Sequence, residues 1–381
     1  MNAHHLPSPS LTFARRSRRR TWAIGVAGIL LAAGSTGMAG AQQAAPASAD
    51  TGSIESDGTV VVPSFRLPPS IYLSEAARKA MPRTPTDQEA MMIQAIKAGK
   101  AGEMRSKMPQ YMAPQIKRLA ANFPVTMRNG QIAGVEAVTV TPAQPMPKAN
   151  RRKILLNLPG GGFVMGKAGG TGMLESIPLA AKAQVEIVSI TYRQAPEAVF
   201  PAASEDVAAV YRELLKTHKP QDIGIFGCSA GGLLTAESMA WFLKEKLPLP
   251  GAIGIFCASA DGRWGGDSQA WGRPFQALPP RAVGLSYFDG ADMSSPLVSP
   301  ALSPETLTHF PPTLLITGTR SFDMSAAVNT HRELVKAGVD AELHLWDGHG
   351  HAFFFNSDLP EAREAFDVMA NFFRKHLGLK Q

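Results

Sequence analysis

Residues 222–232 read DIGIFGCSAGG, and how they are read decides the fold. An alternating apolar run (Ile223, Ile225, Phe226) leads into Gly227, Ser229 and Gly231 at G-x-S-x-G spacing, and a helix-like run, LLTAESMAWFLKEK, follows. A serine on a tight turn between strand and helix is pushed above the sheet edge, where a carbonyl can reach its hydroxyl. The glycines are needed there because side chains would collide with the neighbouring strand and helix. In a chain with 35 glycines the pattern alone reads equally well as a bare turn, so partners elsewhere must decide.

Around this stretch, strands and helices alternate. The pattern predicts strands at KILLNL (153–158), VEIVSIT (185–191), DIGIF (222–226), GAIGIFCA (251–258), TLLITG (313–318) and AELHLW (341–346). Helices are expected from near Thr171, Ala202, Ala230 and Met324, with a last one after Pro360. Such alternation is the signature of a mostly parallel sheet covered by helices on both faces. Upstream, PVTMRNGQIAGVEAVTV reads as a hairpin turning at Asn129-Gly130. From Leu73 to about Leu119 the pattern is helical, broken by Pro82, Pro85 and Pro109. One connection, Asp261 to Pro312, is long and rich in Gly, Pro and Trp, which marks a lid or binding segment.

The net charge of +7 invites a nucleic-acid reading, and its distribution argues against one. Residues 1–41 hold five arginines (Arg15, Arg16, Arg18, Arg19, Arg20) and no acidic residue, so the rest of the chain carries only +2. That leader has a basic start, the apolar stretch WAIGVAGILLAAG and a small-residue cleavage site at Ala39-Gly40-Ala41, which reads as a signal peptide. The apolar core is short for a span of about 20 residues, so the expectation is cleavage, a periplasmic or secreted product, and no stable membrane span afterwards. SRRRTW resembles a twin-arginine signal, and a general secretory signal fits nearly as well. Residues 42–64, rich in Ala, Ser, Gly and Pro, read as a flexible spacer. Two cysteines, Cys228 and Cys257, are too few for a disulfide scaffold.

Acyl transfer needs donors for an oxyanion, and KILLNLPGGGF ends a strand in three glycines whose N–H groups a substrate can approach. The overlapping run Gly161 to Lys167 nearly matches a phosphate-binding loop, but Ala168 stands where the Mg²⁺-binding hydroxyl belongs, so nucleotide binding is rejected. A general base is expected late, and ELHLWDGHGHAFF offers His349 and His351 just beyond the last strand. With no third ligand nearby, the two histidines do not read as a metal site.

Serine first and histidine last is the α/β-hydrolase order. GGGF (160–163), YRQAPE (192–197), FPAASEDVAAVY (200–211), GCSAGG (227–232), SPLVSP (295–300), PPTLLITG (311–318) and GHAF (350–353) together resemble the hormone-sensitive-lipase-like family of esterases, over roughly residues 120–380. The resemblance implies an α/β-hydrolase fold: a mostly parallel central sheet covered on both faces, with a lid from N-terminal helices (65–120) and an insertion (about 262–310) within a catalytic domain at 121–381. It implies Ser229 as nucleophile, His351 as base, and the N–H groups of Gly161, Gly162 and Ala230 as the oxyanion hole, with no metal or organic cofactor.

Two departures stand out. Pro159 replaces the histidine that helps hold the loop in the family's H-G-G-G. In GTRSFDMSA, Ser321 occupies the place of the family's acid, with Asp323 two residues on. Asp323 and Asp261 are therefore the competing carboxylates, and the shared loop favours Asp323. The expected activity is hydrolysis of short- to medium-chain carboxylic esters through an acyl-enzyme, and the expected partner is a small-molecule ester. The rival is a weakened hydrolase fold kept as a small-molecule binding protein, as in the plant gibberellin receptor that the same resemblance includes; Pro159 and Ser321 motivate it.

Overall fold

The computed structural model describes residues 52–62, 66–81, 94, 98–271 and 285–380, in two units divided after Arg66. The expected leader, the start of the spacer, the stretch with Pro82 and Pro85, and residues 272–284 of the insertion lie outside the described residues. In the first unit, Ser53–Ile54 pairs antiparallel with Val60–Val61. The described part of the expected spacer thus holds a small exposed hairpin.

The second unit is built on strands β1 (Val125–Ile132), β2 (Val135–Pro142), β3 (Ile154–Leu158), β4 (Glu186–Thr191), β5 (Ile223–Cys228), β6 (Ala252–Phe256), β7 (Thr313–Gly318) and β8 (Ala341–Trp346). They form one sheet in the order β8-β7-β6-β5-β3-β4-β2-β1, antiparallel only where β2 pairs with β4 and β1. Among the described residues, the helices longer than one turn are α1 (Glu75–Ala80), α2 (Ala101–Asn122), α3 (Thr171–Ala183), α4 (Ala202–Leu214), α5 (Ala230–Lys244), α6 (Met324–Lys336) and α7 (Pro360–Leu377). Every residue of β3, β5, β6 and β7 is buried, because helices cover both faces. Alternate residues serve two cores: Leu156, Ile225 and Ile255 pack on the side of α4 and α5, and Leu155, Phe226 and Phe256 on the side of α3 and α7.

Two expectations need correction. The hairpin exists, but Asn129 and Gly130 lie inside β1, paired with Val138 and Ala137, and the turn is Ala133-Gly134. Both turn residues have positive φ, 51° and 80°, which suits a two-residue connection between twisted strands. A turn at 129–130 would leave a ladder half as long and deprive β2 of its match to β4, so the longer ladder wins over the local signal. Pro109 does not break the helical pattern either; α2 runs through both Pro109 and Pro114. A proline removes one internal hydrogen bond per site, and the packing of α2 against α3 holds the helix across both.

Candidate active site

The alternating run before Ser229 becomes β5, the run after it becomes α5, and Ser229 sits between them at φ 59°, ψ −123°. That is a conformation a residue with a side chain adopts only when its surroundings force it. Here the Ser229 N–H is fixed by the carbonyl of Phe256 on β6 at 2.8 Å, and the start of α5 is pressed against the end of β3. A Cβ at Gly231 would lie 1.8 Å from the Leu158 carbonyl oxygen, so only glycine fits.

The loop after β3 lies directly on this elbow. A Cβ at Gly160 would stand 2.5 Å from the Cys228 oxygen and 3.3 Å from Ser229 Cβ. Side chains clamp the loop from several elements: Tyr192 donates to the Pro159 oxygen at 2.6 Å, Thr171 to the Gly160 oxygen at 2.9 Å, and Gln194 bridges both backbone groups of Gly166. Arg105, from α2 in the expected lid segment, donates to the Val164 oxygen at 2.6 Å. Among the described residues, the N–H groups of Gly161, Gly162 and Ala230 have no protein acceptor. Lys167, the would-be phosphate ligand, is paired with Glu136.

His351 follows β8, in a loop held against the end of β7 by the Arg320 N–H on the His349 oxygen (2.9 Å) and against the end of β6 by the Ala352 N–H on Cys257 Sγ (3.1 Å). Its Nδ1 lies 2.8 Å from Asp323 Oδ1, and the Phe322 ring packs over its imidazole at 4.6 Å between centroids. Asp323 is fully buried and accepts from both Thr317 and Ser321. It stands at the start of α6, yet its side chain does not cap that helix.

Asp261 is elsewhere. Its two oxygens are taken by the Arg263 guanidinium at 2.9 and 2.8 Å. Burial alone would raise its pKa, but the Arg263 guanidinium and N–H outweigh that and hold it below the usual carboxylate value. His349 is nearly buried against Phe353, 3.8 Å from Glu361, and burial pushes its pKa down. Cys228 and Cys257 are free and buried, with no disulfide between them.

Sequence reasoning did not find the donors to Asp323. Ser321, aligned at the acid's place, serves instead as a donor to the acid two residues on, and Thr317, though inside the PPTLLITG stretch, was read only as part of a strand. It also missed the aromatic wall beside the glycine loop. Phe163 stacks on Tyr287 of the insertion at 4.5 Å and 5°, with Phe288 edge-on to Phe163 at 5.1 Å.

A sheet in this order, with a serine at the strained turn after β5 and a histidine–carboxylate pair beyond β7 and β8, defines an α/β-hydrolase. The chain belongs to the alpha/beta hydrolase fold family, whose model matches residues 155–355. It is 30% identical to an acetyl-hydrolase of Streptomyces hygroscopicus over 238 residues, 61% of this chain and 79% of that protein. It is 25% identical to an esterase of Acinetobacter venetianus over 313 residues, 79% and 95% of the two chains. Among solved structures it resembles esterase E25 (TM-score 0.72, 29% identity, 84% of this chain and 98% of that one). It also resembles an esterase of the bacterial hormone-sensitive lipase family (TM-score 0.61, 26% identity, 77% and 100%). The chain is a carboxylic ester hydrolase of the hormone-sensitive-lipase-like kind.

Proposed function

We propose that the enzyme cleaves carboxylic esters of short to medium acyl chains through an acyl-enzyme on Ser229. The observation that carries this reading is the strained elbow at Ser229 together with the 2.8 Å contact of His351 Nδ1 and Asp323. Asp323 holds the His351 proton on Nδ1, which leaves Nε2 as the base. His351 takes the Ser229 proton as the hydroxyl oxygen adds to the ester carbonyl. The N–H groups of Gly161, Gly162 and Ala230, without an acceptor among the described residues, receive the oxyanion. The tetrahedral species collapses, the alcohol leaves with the proton from His351, and water repeats the sequence to release the acid.

The aromatic wall supports the short chain length. Phe163 directly follows the oxyanion glycines, and Tyr287, Phe288, Phe200 and Trp241 fill the space behind it. Rings packed there leave little depth for a long acyl tail. Assays with p-nitrophenyl esters from acetyl to palmitoyl, on protein titrated with a fluorophosphonate, test this. Expected is the highest kcat/KM between acetyl and octanoyl with a steep fall beyond; a maximum at palmitoyl would refute the short-chain reading.

We also propose that the enzyme is exported and works in the periplasm or outside the cell, with a mature chain starting near Gln42. The five arginines ahead of an apolar stretch and Ala39-Gly40-Ala41 support this. Mass spectrometry of the soluble protein from the exported fraction should give that terminus, and an intact Met1 or Asn2 there would defeat the proposal.

A further inference from the structure

Beneath the glycine loop lies a carboxyl that the reaction does not use. Glu175, in α3, is 1% exposed, and the residues around it from Gly172 to Ala180 are all buried. Its Oε2 accepts from Asn157 Nδ2 of β3 at 3.1 Å, and Asn157 Oδ1 in turn accepts from Ser189 of β4 at 2.7 Å. The backbone N–H groups of Gly160 and Cys228 lean toward the same carboxyl, and its Oε1 makes no hydrogen bond of full geometry. One side chain therefore reaches the end of β3, Gly160 just ahead of the oxyanion glycines, and the residue before Ser229.

We propose that Glu175 is a positioning residue, the group that ties the oxyanion loop to the nucleophile elbow; the inference rests on the serine mechanism above. Pro159 brings no N–H and no polar side chain to this junction, and Cys228 brings only a buried thiol. Tyr192, Thr171 and Gln194 clamp the loop itself, and Glu175 adds a link from that loop to the residue before Ser229. Burial raises the Glu175 pKa well above the usual range, an effect that the Asn157 amide and the two backbone N–H groups only partly counter. Burial therefore favours the neutral form, which puts no negative charge under the developing oxyanion. A neutral carboxyl has one donor and one acceptor side, which glutamine reproduces.

The test compares Glu175→Gln with Glu175→Leu in the full-length enzyme. Misplacing donors near the reacting atoms costs up to about 10²-fold, so Glu175→Leu should lower kcat by roughly 10- to 100-fold while KM stays within about twofold. Glu175→Gln should keep kcat within about threefold. Inhibition by a trifluoromethyl ketone, which occupies the oxyanion hole, should weaken in Glu175→Leu by the same factor as kcat. Full kcat in Glu175→Leu, or equal damage from Gln and Leu, overturns the proposal. If Glu175→Leu does not fold, Ser189→Ala decides: it frees the Asn157 amide with little change of volume, and kcat should fall at least about threefold at unchanged KM. An unchanged kcat there overturns the proposal as well. Fluorophosphonate labelling of the wild type keeps the two readings apart, because a wild type that does not label sinks the serine mechanism and not this tie.

Discussion

Ser229→Ala will hydrolyse p-nitrophenyl esters at least about 10⁴-fold more slowly than the wild type and will not be labelled by a fluorophosphonate. In triad enzymes, loss of the nucleophile costs up to about 10⁶ in turnover, and what remains comes from the oxyanion hole and binding. Alanine suits the site structurally: the strain at φ 59° belongs to the backbone, and the Ser229 N–H to the Phe256 carbonyl is kept. The Ser229 hydroxyl makes no hydrogen bond to the described protein that folding would miss. The melting temperature should therefore stay near that of the wild type, and circular dichroism should superpose. Labelling that persists on another residue would mean that the elbow is not the nucleophile site.

The central strands were legible because burial on both faces makes their sequences continuously apolar, and β7 falls on TLLITG without a residue of error; the half-exposed edge strand β8 falls on AELHLW as closely, through its alternation of apolar and polar residues. The elbow was legible for a steric reason, since a turn this tight admits only glycine at 227 and 231. What the sequence hides is whatever depends on competition between local and distant contacts. Asn129-Gly130 is a strong turn signal that loses to an eight-residue ladder, and Pro109 is a breaker that loses to the packing of α2 on α3. The same limit applies inside the site. Ser321, Phe322 and Asp323 read as a string, and which side chain meets His351 depends on how the loop after β7 turns. Glu175 was invisible for another reason: a lone glutamate in an apolar helix has no motif, and only the fold shows what it faces.

The largest contrast between two single changes should come from the competing carboxylates. Asp323→Asn removes the charge that holds the His351 proton on Nδ1 and stabilises the imidazolium in the transition state. In a triad protease that substitution costs about 10⁴ in turnover, and a loss of that order is expected here. The amide fits the same space, and the Thr317 and Ser321 hydroxyls can rotate to serve it, so the melting temperature should change little. Asp261→Asn should do the reverse. It breaks the paired contacts with Arg263 but touches nothing at His351, so kcat should stay within about threefold. Its effect belongs to stability. Asp261 titrates below its ordinary value in the folded chain, so the wild type gains stability above that ordinary value of 3.8 and loses it as pH falls through the lower, folded one. Melting curves of Asp261→Asn should accordingly be flatter with pH on the acid side than those of the wild type. If Asp261→Asn proves the crippling change, the acid comes from the strand β6 side. If turnover survives both replacements, and Ser321→Asp then raises it sharply, Ser229 and His351 work as a dyad and the buried carboxylate at 323 only props the loop.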